Sequence, residues 1–233
     1  MNIKKQIPNI ITSGNLVSGC LGIIEIIEGN LVLGTYFMIL AAVFDFFDGF
    51  AARLLKVSSP MGKEMDSLAD MVTFGVLPGM LMMQLLTQVL PKDSYLVYAG
   101  LILPVFSAFR LAKFNIDTRQ TDTFLGVPTP AMTLLVCTLP FLFDEFLEIG
   151  QFLNNAWFLI SISIIISILM VSDIPMLAMK FKNYSWGDNK ARYIFALGAV
   201  PLLIYFSVGG IPFVMMWYIL LSVLNNLNAK DKS

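Results

Sequence analysis

There is no histidine among the 233 residues, so neither a phosphohistidine intermediate nor a Ser-His-Asp triad can be built from this chain. Cysteine occurs twice, as Cys20 and Cys137, each inside an apolar stretch. Two such residues make neither a disulfide framework nor a thiolate metal site, and both read as packing residues. Charge is scarce too, at 13% of residues against 57% hydrophobic, with a mean hydropathy of +0.77. A soluble domain rarely departs this far from ordinary composition, so the bulk of the chain belongs in lipid. The net charge of −1 says little by itself, and no nucleic-acid partner is expected. Linkers, repeats and low-complexity tracts are missing, which leaves one domain over residues 1–233. A cleavable signal is not indicated either: Lys4 and Lys5 precede an apolar stretch interrupted by Ser13, Gly14, Asn15, Ser18 and Gly19.

What is present is a series of apolar stretches. A span needs about 20 mostly apolar residues. Eight candidates occur, at Ile11–Ile27, Leu31–Leu55, Leu68–Leu90, Leu96–Ala112, Val127–Phe143, Ala156–Met176, Tyr193–Ser207 and Ile211–Leu227. Backbone groups in lipid must pair within their own segment, so these stretches predict helices. The expected fold class is all-α, a polytopic membrane bundle of about eight transmembrane helices. With eight passes, every one of the 15 basic residues except Lys92 falls on one side. These include Arg53, Lys56 and Lys63, then Arg110, Lys113 and Arg119, then Lys180, Lys182, Lys190 and Arg192. That asymmetry predicts both termini in the cytoplasm.

Four carboxylates break the apolar pattern. Asp45 and Asp48 end the second stretch, and Asp66 and Asp70 open the third. Spacings of three and four put each pair on one helix face. The link from Lys56 to Lys63, with Ser58, Ser59, Pro60 and Gly62, is turn chemistry, so the two helices should fold back antiparallel and bring the pairs together. An ionisable group in a span costs roughly 2.5–3.5 kcal/mol on insertion scales, so four in one hairpin point to function. Clustered carboxylates repel unless cations sit between them, and an oxygen-only set suits Mg²⁺ or Mn²⁺. One alternative is an ion network in which Asp45 and Asp48 pair with Arg53 and Lys63. Another is an ion-coupled transporter, although no matching acidic cluster occurs in the second half of the chain.

The pattern D-x2-D-G-x2-A-R-x8-G-x3-D-x3-D is filled by Asp45, Asp48, Gly49, Ala52, Arg53, Gly62, Asp66 and Asp70. It resembles the signature of the CDP-alcohol phosphatidyltransferases at every position. That resemblance implies that Asp45, Asp48, Asp66 and Asp70 hold two divalent ions, with Asp70 also the general base. It further implies that Gly49, Ala52, Arg53 and Gly62 lie against the CDP head of CDP-diacylglycerol. Asn9 and Thr12, in Pro8-Asn9-Ile-Ile-Thr12, resemble the family's nucleotide-contacting segment, and Ser59 is a further candidate. A homodimer is likewise implied, while the charge asymmetry puts the site at the cytoplasmic face of what would be a prokaryotic inner membrane. The catalytic core would run over about 8–175, followed by helices at about 193–227.

The acceptor alcohol is read from three further segments. Phe109-Arg110-Leu-Ala-Lys113-Phe-Asn115 and Gly126-Val-Pro128-Thr-Pro130-Ala131 resemble stretches of prokaryotic phosphatidylserine synthases within the family, as does Met170-Val-Ser172-Asp173-Ile-Pro175 more loosely. L-Serine brings a carboxylate and an ammonium, and Arg110, Lys113 and Asn115 are candidates to receive the carboxylate. The competing reading of these basic residues is topology and lipid headgroup contact. Glycerol 3-phosphate or an inositol derivative stays open as acceptor, with Lys180, Lys182, Lys190 and Arg192 available to a phosphate. Without histidine or another evident activated nucleophile, direct attack of the alcohol on the donor is the simplest mechanism.

Overall fold

The computed structural model describes residues 3–117, 124–179 and 185–230. Arg119, Lys180, Lys182 and Lys232 lie outside them. Helix α1 (Ile3–Ile27) and α2 (Leu31–Leu55) form an antiparallel hairpin turned at Gly29 and Asn30. The two backbones come together near the turn, where a Cβ on Gly22 would sit 3.1 Å from the Gly34 carbonyl oxygen. Small residues are what permit such close approach between helices in lipid.

The link expected over Lys56–Lys63 is shorter than that. α2 ends at Lys56, whose φ of 52° places it in the left-handed region, and α3 (Pro60–Asp70) begins at Pro60. Ser59 is the N-cap, its Oγ accepting from the Gly62 N–H at 3.0 Å, and Pro60 fills a first-turn position whose N–H would go unused. α3 continues through a π-helical turn (Met71–Val76) into α4 (Leu77–Val89). Proline explains the irregularity: Pro78 has no N–H for the carbonyl of Phe74, four residues back. The Thr133 hydroxyl, 3.0 Å from that oxygen, supplies a donor instead.

Residues Tyr95–Leu101 form a 3-10 turn leading into α5 (Ile102–Ile116). The expected fifth span is split into α6 (Thr129–Cys137) and α7 (Leu139–Glu145), broken beside Pro140. Thr35 of α2 donates to the Cys137 carbonyl at the break. After α8 (Leu147–Leu153) comes α9 (Ala156–Val171), five residues shorter than the expected span to Met176. Pro175 biases Ile174 toward extended backbone, and the chain after α9 makes an isolated antiparallel bridge between Leu125 and Pro175 instead of a further turn. Gly126, at φ +73°, is packed against the carbonyls of Met170 and Ser172, so a side chain there would meet both strain and backbone. Two motif segments far apart in sequence are thereby joined.

α10 (Trp186–Phe206) and α11 (Ile211–Lys230) close the chain. They fold back on each other: Trp217 Nε1 donates to the Ile194 carbonyl at 3.4 Å, and the rings of Phe195 and Tyr218 lie 6.0 Å apart. Among the described residues, five helices are long and apolar enough to cross a membrane, or six if the α8–α9 pair, bent by 73°, makes one span. One of the five, Asn189–Leu227, holds 39 residues. At about 1.5 Å per residue that is roughly 58 Å, nearly twice a hydrocarbon core, as expected of a hairpin. α4 is central to the core, with Leu77, Leu81, Met82, Leu85 and Leu86 buried against Leu103, Met132 and Leu135. Cys137 is buried and Cys20 exposed, and neither is disulfide-bonded.

Candidate active site

The short capped turn sets the register between the end of α2 and the start of α3. Asp45, Asp48 and Asp66 then each present a carboxylate oxygen within 4.8 Å of the others. An octahedral Mg²⁺ bound at about 2.1 Å spans up to about 4.2 Å between opposite ligands, so the spread is close to that of one ion's ligand set. Asp70, one turn deeper along α3, stands against Asp45. The α1 helix supports both pairs. The Thr12 hydroxyl lies 2.6 Å from Asp48 Oδ2, and Asn15 Nδ2 donates to Asp70 Oδ1 at 3.3 Å.

Among the described residues none of the four carboxylates is ion-paired to lysine or arginine. The structural network expected as an alternative is not formed. Lys63 Nζ donates to the Asn115 carbonyl at 3.2 Å. The Arg53 guanidinium lies along Gly49, where a Cβ would be 3.4 Å from it. Unpaired carboxylates in this number favour cations as the missing partner.

Beside the cage opens a cleft of about 250 Å³, lined by Pro8, Asn9, Thr12, Asp48, Gly49, Ala52, Ser59, Gly62 and Asp66 among others. Every residue expected at the nucleotide lines it except Arg53, which is exposed next to Gly49. Ser59 and Gly62 also have a local reason to be there, since they cap α3.

The acceptor candidates separate. α3 and α5 run antiparallel, with Ser67 opposite Asn115 (Asn115 Nδ2 to Ser67 Oγ, 2.8 Å) and Gly75 opposite Ser107. Arg110 is therefore level with Val72, two residues beyond Asp70. It is only 4% exposed, its guanidinium carbon lies 5.5 Å from the Phe114 ring centroid, and its Nε has no hydrogen-bond partner among the described residues. Lys113 is occupied, donating to Asp173 Oδ1 at 2.9 Å and to the Val171 carbonyl at 3.1 Å. This ties α5 to the C-terminal end of α9. Asn115 is spent on Ser67 next to the cage.

Two residues contacting or supporting the site were not among the sequence candidates. Asn15 is fully buried and accepts from the Thr73 hydroxyl at 2.8 Å while donating to Asp70. The available signal was a polar carboxamide three residues after Thr12, on the same helix as the nucleotide candidates Asn9 and Thr12.

The CDP-alcohol phosphatidyltransferase family model matches residues 5–171, most of the chain and all of this site. The chain belongs to that family. As a CDP-alcohol phosphatidyltransferase it is a transferase of lipid phosphates embedded in a membrane. It is 38% identical over 141 residues to the CDP-diacylglycerol–serine O-phosphatidyltransferase of Bacillus subtilis (strain 168), covering 60% of this chain and 78% of that protein. The Helicobacter pylori (strain ATCC 700392 / 26695) protein of the same name is 28% identical over 221 residues, 93% of this chain and 89% of the other. The archaetidylserine synthase of Methanothermobacter thermautotrophicus is 30% identical over 182 residues, 75% and 72% of the two chains.

Proposed function

We propose that the chain transfers the phosphatidyl group of CDP-diacylglycerol to L-serine, giving phosphatidylserine and CMP. The observation that carries the serine assignment is Arg110: a buried cation with an unpartnered Nε, level with the end of the carboxylate cage. The names of the relatives point the same way. A fork-shaped guanidinium suits a carboxylate, and a buried charge without a protein partner favours one from a ligand.

Asp45, Asp48, Asp66 and Asp70 would hold Mg²⁺ or Mn²⁺, in two ions. Bound there, divalent ions neutralise charge on the donor diphosphate and its leaving group. The protein's own steps are positional. The cleft beside Gly49 and Ala52 receives the CDP head, with Asn9, Thr12 and Ser59 along its wall and Arg53 at its edge. Acyl chains extend between helices into lipid. Arg110 draws in the serine carboxylate so that the serine hydroxyl meets the β-phosphorus in line. Asp70 takes the hydroxyl proton as the new P–O bond forms, and the bond to CMP breaks.

Eight passes, with α6–α7 as one and α10 and α11 as two, leave both termini in the cytoplasm. In the fold, Lys63, Lys113 and Arg192 all gather at the cage end, through contacts to Asn115, Asp173 and Ala178. This supports a site at the cytoplasmic face of a prokaryotic inner membrane. A homodimer is part of the same reading.

The test is purified protein incubated with CDP-diacylglycerol, a divalent ion and labelled alcohols one at a time. Phosphatidylserine and CMP formed in equal amounts, from serine alone, is the expected result. Product from glycerol 3-phosphate or an inositol phosphate, and none from serine, would overturn the acceptor and leave the family standing.

A further inference from the structure

Asn15 and Thr73 are both fully buried, and neither belongs to the signature that runs from Asp45 to Asp70. They form one chain of hydrogen bonds with the residue that signature ends on. The Thr73 hydroxyl lies 2.8 Å from Asn15 Oδ1, and Asn15 Nδ2 lies 3.3 Å from Asp70 Oδ1. Asparagine has a donor end and an acceptor end, and an ionised carboxylate only accepts, so the nitrogen must face Asp70. Thr73 then donates to the remaining oxygen and fixes the amide in that orientation.

The fold is built to permit this contact. One turn from Asn15 along α1 is Gly19, where a Cβ would sit 3.3 Å from the Thr73 backbone. Any larger residue would push α1 away from the π-helical turn and lengthen both hydrogen bonds. A carboxamide inside a membrane helix costs free energy unless satisfied, and here its amide bonds are spent on the acid in question and on the residue that orients it.

We propose that Asn15 is a positioning residue for the transfer reaction: oriented by Thr73, it holds one oxygen of Asp70 and leaves the other turned to the cage. The inference rests on Asp70 being the base of the proposed reaction. Asn15 touches no substrate in this reading and acts only through Asp70. Its loss should therefore slow turnover while leaving the donor's place in the cleft intact. An acid that rotates freely is in the productive rotamer for a smaller fraction of the time, and misplacement of a catalytic group is costly.

The experiment compares Asn15→Leu, Thr73→Val and Thr73→Ser with wild type in detergent-solubilised, metal-loaded enzyme, measuring kcat, KM for both substrates and thermal midpoint. Asn15→Leu and Asp70→Asn are also combined. Asn15→Leu should lower kcat at least about tenfold, with KM for CDP-diacylglycerol within about twofold. Thr73→Val should lower kcat by less, and Thr73→Ser should recover most of that loss. In the Asp70→Asn background, Asn15→Leu should cost nothing further, because residues acting as a unit are not additive. A full additional loss in that background, or a wild-type kcat for Asn15→Leu, overturns the positioning role while Asp70 keeps its own. Should Asn15→Leu fail to fold, the Thr73 pair decides: equal kcat for Thr73→Val and Thr73→Ser overturns it. A near-wild-type kcat for Asp70→Asn instead removes the base assignment, and the inference falls with it.

Discussion

Arg110 and Lys113 stand three residues apart on α5, yet among the described residues only Lys113 has an anionic partner, Asp173 at 2.9 Å. The same helix thus carries one cation that clips α5 to the end of α9 and one whose guanidinium lies over the Phe114 ring. Exchanging either should separate substrate binding from stability. Arg110→Ala is expected to raise KM for serine at least about tenfold, the scale of a lost hydrogen bond to a charged group, with KM for CDP-diacylglycerol little changed. Lys113→Ala should lower the thermal midpoint by a few degrees and leave KM for serine within about threefold. Equal loss for both substrates in Arg110→Ala would show that it serves the donor or the fold.

Metal dependence follows from the cage itself. Three carboxylate oxygens within 4.8 Å, with no basic partner among the described residues, make an arrangement that a divalent cation would complete. Turnover should vanish when the metal is stripped with EDTA and return with Mg²⁺ or Mn²⁺. The apo protein should also melt at a lower temperature, since an ion that binds only the folded state stabilises it. Full activity after verified removal of the metal would dismiss the cage as a metal site.

The membrane orientation can be checked at the α2–α3 turn. Single cysteines placed at Ser58 or Met61 in a background lacking Cys20 and Cys137 should react with impermeant maleimide in inverted vesicles and stay unlabelled in intact cells. Met61 is 69% exposed, so burial does not confound the result. Labelling from outside would reverse the topology and move the site to the other face.

How far the sequence speaks depends on the kind of constraint. The cage was legible because it depends on local spacing: Asp45 with Asp48 and Asp66 with Asp70 need only a helix and a short turn to meet. Helix existence was legible for the same reason, since lipid forces apolar stretches to pair internally. Boundaries were less so. Pro60 starts a helix where Ser58, Ser59, Pro60 and Gly62 read as a turn running to Lys63, because the first turn of α3 carries no apolar period. The fate of Lys113 was not legible, since Asp173 lies 60 residues away and the partner is set by how α9 packs on α5. Asn15 escaped for a similar reason: it looked like an interruption of α1 until Thr73 and Asp70 came to face it.

The sharpest expectation concerns the three carboxylates whose roles differ. Asp45 and Asp66 belong with Asp48 to the converging set of oxygens, whereas Asp70 stands one turn deeper with Asn15 on one oxygen. Asp70→Asn keeps the size and one potential ligand oxygen but removes the group proposed to accept the serine proton. Its kcat should fall at least about a hundredfold, the usual scale of general acid–base catalysis, while CDP-diacylglycerol still binds. Asp45→Asn and Asp66→Asn remove charge from the proposed metal ligands themselves, so metal affinity and donor binding should weaken together with turnover. The decisive measurement sets binding of the donor lipid, titrated at fixed Mn²⁺, beside single-turnover rates for all three well-folded variants. If Asp70→Asn loses donor binding as steeply as the other two, its part is that of a ligand and the proton goes elsewhere. If it binds donor as the wild type does but fails to turn over, the division of labour along α3 holds: Asp66 gathers the metal and donor, and Asp70, one turn on, takes the proton.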